Sequence, residues 1–115
     1  MTLRHVKVVD EVRYLLLKDV SFNLYDNNGK PITFSAFPIV SNINGKESFR
    51  GHSIIIFGLV DTLTIEAKVE GYSYTETTIV LAVEKLRKFP GNRYAWDDEI
   101  VLKTTLEPYK ELEEV

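Results

Sequence analysis

Cysteine is absent from this chain, which removes disulfides, thiolate nucleophiles and every cysteine-held zinc or iron–sulfur centre. Histidine is nearly as scarce. His5 and His52 stand far apart, with no third ligand at metal spacing and no serine in a nucleophile context. A lone histidine on a strand is ordinarily a surface or internally satisfied residue, so no catalytic, metal or cofactor role is assigned to either. No apolar run approaches the roughly 20 residues of a membrane-spanning helix. The segment Met1-Thr2-Leu3-Arg4-His5-Val6-Lys7 lacks the apolar stretch and small-residue cleavage site of a secretory leader. The expectation is no membrane insertion and, if the chain is full length, cytoplasmic expression or a place in a virion. Charge of one sign is missing too: 14 Lys and Arg stand against 17 Asp and Glu, a net charge of -3. No basic field invites a nucleic-acid phosphate backbone, so nucleic acid is not an expected partner.

The composition that remains is that of a folded protein, 44% hydrophobic and 27% charged over 115 residues, enough for one core. A single β-sandwich over residues 1–106 and an acidic tail over 107–115 are expected. That tail carries four glutamates against one lysine and is assigned no function.

Period-two alternation recurs along the chain and sustained helical periodicity does not, so the class is all-β. The expected architecture is an antiparallel β-sandwich, immunoglobulin-like or transthyretin-like, of about seven to nine strands with a long C-terminal hairpin. Val20, Phe22 and Leu24 would face the core, as would Leu63, Ile65, Ala67 and Val69. Val12 to Leu17 is more continuously apolar than the other segments, which fits a strand covered on both faces or one covered by other subunits. Ile32 to Val40 alternates and then changes phase, predicting an edge strand with a bulge near Ala36 and with Pro38 lacking a donor. Asn42 to Lys46 is a polar, glycine-containing loop before a strand from Phe49 to Phe57.

Near the C-terminus, Phe89-Pro90-Gly91-Asn92-Arg93-Tyr94 is a turn between two strand-like runs. With Phe89 opposite Tyr94, Arg87 faces Trp96, Lys85 faces Asp98, Val83 faces Ile100 and Leu81 faces Leu102, which keeps apolar against apolar. The rival is a short helix over Ala82 to Phe89, where Leu86 and Phe89 lie three apart.

The succession of Asp26-Asn27-Asn28-Gly29-Lys30-Pro31-Ile32, an alternating strand, Phe57-Gly58-Leu59, Thr62 to Val69, Gly71-Tyr72 and Thr77 to Leu81 resembles the transthyretin-like sandwich. Carboxypeptidase regulatory-like domains and collagen-adhesin B-type repeats have this form, and the resemblance spans Val20 to Leu81. It implies a non-enzymatic module that stiffens, spaces or presents a surface. The internal lysine-to-asparagine crosslink of the adhesin repeats is not expected, because Glu66 has the outward phase and Glu99 to Leu106 holds no asparagine. The hydrolase branch ends in Tyr-Arg-Gly-Ser, whereas this sequence ends Lys110-Glu111-Leu112-Glu113-Glu114-Val115.

Two acidic stretches invite calcium and neither fits it well. Asp26-Asn27-Asn28 reads as turn chemistry, and Asp97-Asp98-Glu99 would alternate faces on a strand. The candidate contact site is the tip formed by Arg87, Phe89, Arg93, Tyr94 and Trp96, since arginine and aromatic side chains dominate binding hot spots. The equal alternative has Trp96 capping the core with Arg87 stacked on it. The expected function is a non-catalytic structural, assembly or attachment module making protein contacts, including self-association, as in a virion or surface assembly. A carbohydrate-binding module using Tyr94 and Trp96 is the alternative.

Overall fold

Among the described residues, 1–107 of a computed structural model, ten strands form two sheets packed as an all-β sandwich. They are β1 (Thr2–Asp10), β2 (Leu15–Leu16), β3 (Val20–Tyr25), β4 (Phe34–Ile43), β5 (Lys46–Ile56), β6 (Thr62–Val69), β7 (Thr75–Val80), β8 (Arg87–Phe89), β9 (Arg93–Trp96) and β10 (Ile100–Thr104). No described helix is long and apolar enough to cross a membrane.

The smaller sheet is β3-β6-β7, antiparallel throughout and in unbroken register. Its inward positions are the alternating Phe22, Leu24, Leu63, Ile65 and Ala67 expected from the sequence, all buried. Strand β1 is the centre of the larger sheet. One flank pairs antiparallel with β5 and then β2; the other pairs parallel with β9 and then β10. Leu3, Val6 and Val8 of β1 meet Ile54, Ile56, Trp96, Ile100 and Leu102 from its neighbours, and together with the smaller sheet they make one core.

Two irregularities set the larger sheet. A register shift between Leu3 and Val6 leaves Arg4 and His5 exposed and returns both flanking apolar residues to the core. A second lies where Ile39 pairs Gly51 but Val40 pairs Phe49, leaving Arg50 as the extra residue of β5. Gly51 has φ 123°, and a β-carbon there would come within 2.9 Å of the Val6 carbonyl oxygen. The bulge expected near Ala36 therefore lies three residues later and on the partner strand.

Other expectations are corrected. Val12 to Leu17 is no covered strand: Glu11 to Tyr14 is a turn and only Leu15–Leu16 pairs. The cause is Asp10, whose carboxylate accepts from the backbone N–H of Val12 at 3.0 Å and of Arg13 at 2.9 Å, while Tyr14 takes φ 57°. The long C-terminal hairpin is also absent. Only Arg87–Phe89 and Arg93–Trp96 pair, with Phe89 opposite Arg93 and Arg87 opposite Ala95. Val83–Lys85 forms a single 3-10 turn, which is all that remains of the rival helix, and Ile100–Thr104 leaves to pair with β1. Burying Ile100 and Leu102 beside Val6 and Val8 outweighs extending an exposed two-stranded ribbon.

The acidic tail falls outside the described residues from 108 onward. Glu107 itself is anchored, its N–H donating to the Gly71 carbonyl at 2.9 Å and its carboxylate pairing with Lys68 at 3.0 Å.

Candidate functional site

The turn Pro90-Gly91-Asn92 joins β8 to β9, with Gly91 and Asn92 both at positive φ and the Arg93 Nε donating to the Pro90 carbonyl at 3.1 Å. Of the five tip residues, Phe89, Arg93 and Tyr94 come together with Arg4 around a shallow cleft of about 250 Å³. Arg87 is directed elsewhere: it pairs with Asp97 at 3.1 Å and lies 5.0 Å from the Phe89 ring centre. Trp96 is turned inward, 6% exposed and part of the core. The cation over its ring is Lys85, at 5.8 Å, which also meets Asp98 at 3.4 Å. A sugar-stacking platform of Tyr94 and Trp96 thus lacks its larger ring.

The first turn is occupied by its own backbone. Asp26 accepts from the N–H groups of Asn28 and Lys30, each at 2.9 Å, so its carboxylate shapes the loop. His5 is exposed. On the outer face of the smaller sheet, Glu66 stands directly opposite Glu76, a like-charge pair. The Tyr74 hydroxyl donates to Glu76 at 2.7 Å, and both Tyr25 and Tyr74 hold their protons more tightly than free tyrosines. Burial leads for Tyr25, with Glu66 adding to it; the hydrogen bond to Glu76 leads for Tyr74.

A second region was not singled out in the sequence. Beyond Gly51 the β4–β5 hairpin has no third strand among the described residues, where Val40 to Ile43 pair with Lys46 to Phe49. Asn44 and Gly45, at φ 53° and 76°, close this arm with a two-residue turn suited to twisted strands. Strand alternation puts Phe37, Ile39 and Ile43 on one face, with Phe37 and Ile43 more than half or half exposed, and Pro38 and Val40 on the other. Strand β4 is an edge and contains no charged residue over its ten positions. The signal available in sequence was Ile43-Asn44-Gly45-Lys46, a strong hairpin turn between strand-forming residues.

At the arm's root, its second face joins the segment before β3 around a cleft of about 460 Å³ lined by Lys18, Asp19, Pro38, Val40, Glu47, Phe49 and His52. His52 is 6% exposed and held edge-on between Phe22 and Phe49, at centroid distances of 5.1 and 5.2 Å. Its Nδ1 is buried and has no hydrogen-bond partner among the described residues. Burial lowers the imidazole pKa, partly offset by a hydrogen bond to the Lys18 backbone.

No family model matches the chain, and neither a curated protein nor a solved structure matches it.

Proposed function

We propose that this domain is a non-catalytic assembly or attachment module whose principal contact element is the β4–β5 arm, docking first on a second copy of the chain. The observation that carries the reading is the unsupported ribbon from Val40 to Phe49, since an isolated two-stranded hairpin is at best marginally stable in water. Its face of Phe37, Ile39 and Ile43 offers apolar area, and the uncharged β4 lacks the lysines that commonly protect an edge. Pro38 removes one donor from that edge, so the contact is through side chains rather than an unbroken added strand. A virion or surface assembly is the setting this reading suits, and the transthyretin-like resemblance of Val20 to Leu81 agrees with a spacing or presenting role. The β8–β9 tip is secondary, because its arginine and tryptophan are engaged within the domain.

Mass measurement in solution over a range of concentrations tests the proposal. Self-association that disappears in Phe37→Lys and Ile43→Lys, with the fold retained, is the expected result. A monomer at every concentration, or an oligomer unaffected by both substitutions but lost in Arg87→Ala, would remove the arm from this role.

A further inference from the structure

We infer that the β4–β5 arm of one copy docks on the far end of the next, on the exposed apolar group Phe57, Leu59, Val80 and Val83, so that copies join head to tail rather than arm to arm. The inference rests on the reading of the arm as a self-association element, and adds the surface that receives it and the symmetry that follows. The arm's apolar face carries charge of one sign. Directly paired residues share a face, so Lys46, opposite Ile43, stands with Phe37, Ile39 and Ile43. Arg50 reaches the same face, its Nε donating to the Ser41 Oγ at 2.9 Å. Glu47 is opposite Asn42 and takes the other face. Neither Lys46 nor Arg50 forms an ion pair among the described residues. Two such faces brought together would set cation against cation with no acid between them, which disfavours a symmetric arm-to-arm contact.

The receiving end is its complement. Phe57 follows β5, Leu59 precedes β6, Val80 ends β7 opposite Thr62, and Val83 opens the next turn. The Leu81 N–H donates to the Asp61 carbonyl at 2.8 Å and ties the last of these segments to the first turn of β6. All four apolar side chains are at least half exposed. Beside them are Asp61 and Glu84, exposed acids without an ion pair among the described residues. The cations nearby are engaged: Lys85 pairs with Asp98 at 3.4 Å, and the Met1 ammonium donates to the Ile56 carbonyl at 2.8 Å. Apolar area thus meets apolar area, and unpaired cations meet unpaired acids. The contact has to be between copies. The arm's turn and Phe57 lie at opposite ends of β5, whose 11 residues span about 35 Å at ~3.3 Å each. Two different patches at opposite ends make a heterologous contact, which propagates as a filament or closes as a ring. The other exposed apolar group, Val12, Tyr14 and Leu15, follows β1 at the arm's own end, since β1 runs antiparallel to β5. It offers one unpaired acid, Glu11, beside the exposed Arg13, and is the poorer match.

The test is sedimentation velocity of the full chain and of two complementary variants over a range of concentrations. Ile43→Glu places an acid on the arm where it would meet Asp61 and Glu84, and Phe57→Lys places a cation where Lys46 and Arg50 would land. Both positions are more than half exposed, so the fold should survive, which circular dichroism checks. The parent is expected to associate beyond the dimer and each variant alone to be monomeric. Their equimolar mixture should give a dimer of one copy of each and nothing larger, because only one sound arm and one sound patch remain to meet. Tyr14→Lys should assemble like the parent. Assembly lost in Ile43→Glu but kept in Phe57→Lys would overturn the inference and leave the arm's role standing, since the arm would then dock elsewhere on its neighbour. A mixture that stays monomeric, or Tyr14→Lys acting in place of Phe57→Lys, would overturn it in the same way. A parent that is monomeric at every concentration, or assembly untouched by Ile43→Glu, would remove the reading of the arm and this inference with it.

Discussion

His52 is a buried histidine whose protonation is linked to folding. Its folded pKa lies below the ordinary 6.5 because burial disfavours the imidazolium. The unfolded chain therefore binds the proton first as pH falls. The stability His52 contributes is complete above 6.5 and is lost progressively below it, at no more than about 1.4 kcal/mol per pH unit for one proton. Denaturant unfolding at successive pH values should show this slope in the parent and not in His52→Phe. Gly51 is a second point of commitment, since a β-carbon would strike the Val6 carbonyl and φ is 123°. Gly51→Ala should cost more than about 1 kcal/mol in the same measurement. At the tip, the two residues paired in the sequence reading behave differently. Trp96→Ala empties core volume and should cost about 3–5 kcal/mol, while Arg87→Ala breaks an exposed ion pair with Asp97 and should cost no more than about 1 kcal/mol.

Among the elements, those with clean alternation were legible and those with bulges were not. Strands β3 and β6 follow Val20-Phe22-Leu24 and Leu63-Ile65-Ala67 without interruption, and their core positions could be read directly. The central β1 could not, because Arg4 and His5 separate Leu3 from Val6 by three and break the period of two. The C-terminal register failed for a different reason. Leu81 and Val83 match Leu102 and Ile100 in polarity, but polarity cannot tell a neighbour in sequence from β1, some ninety residues away. His52 was visible as a residue, yet its two ring neighbours come from different sheets and its orphaned Nδ1 is a property of packing. In the arm, Asn44 and Gly45 hold the turn by their positive φ. Gly45→Ala should destabilise it by about 1 kcal/mol or more, seen as faster hydrogen exchange from Val40 to Phe49 and little change in β6.

Across the whole molecule the two sheets are tied at one end by a polar junction. The Tyr72 hydroxyl, from the loop leading to β7, donates to Asp10 at 2.9 Å, and Asp10 also pairs with Arg13 at 3.2 Å. Beside it, the Thr104 hydroxyl donates to the Ser73 carbonyl and Ser73 N–H to the Thr105 carbonyl at 2.9 Å. The Arg13 backbone N–H, with further help from Tyr72, Val12 and the Arg13 side chain, holds the Asp10 pKa below its ordinary 3.8 despite burial. The stabilisation it gives is present above 3.8 and lost as pH falls through the depressed folded value. Acid titration followed by near-ultraviolet circular dichroism should show a transition below pH 3.8 that is weakened in Asp10→Asn, well separated from the His52 effect. Apolar exposure lies away from this junction as well as near it: Phe57, Leu59, Val80 and Val83 are all at least half exposed, as are Val12 and Tyr14.

The parallel pairing of β1 with β10 sets an order of events in folding. The smaller sheet is complete within Val20 to Val80, its most distant pair being Val20 with Val69, and can form while later residues are still being made. Strand β1 must wait, because its pairings with β9 and β10 join residues 2–10 to residues 95–104. Until that closure the central strand of the larger sheet lacks one flank, and Val6 and Val8 lack Ile100 and Leu102. The last step is thus a long-range closure, slow by its topology, during which an unpaired strand is available to the wrong neighbour.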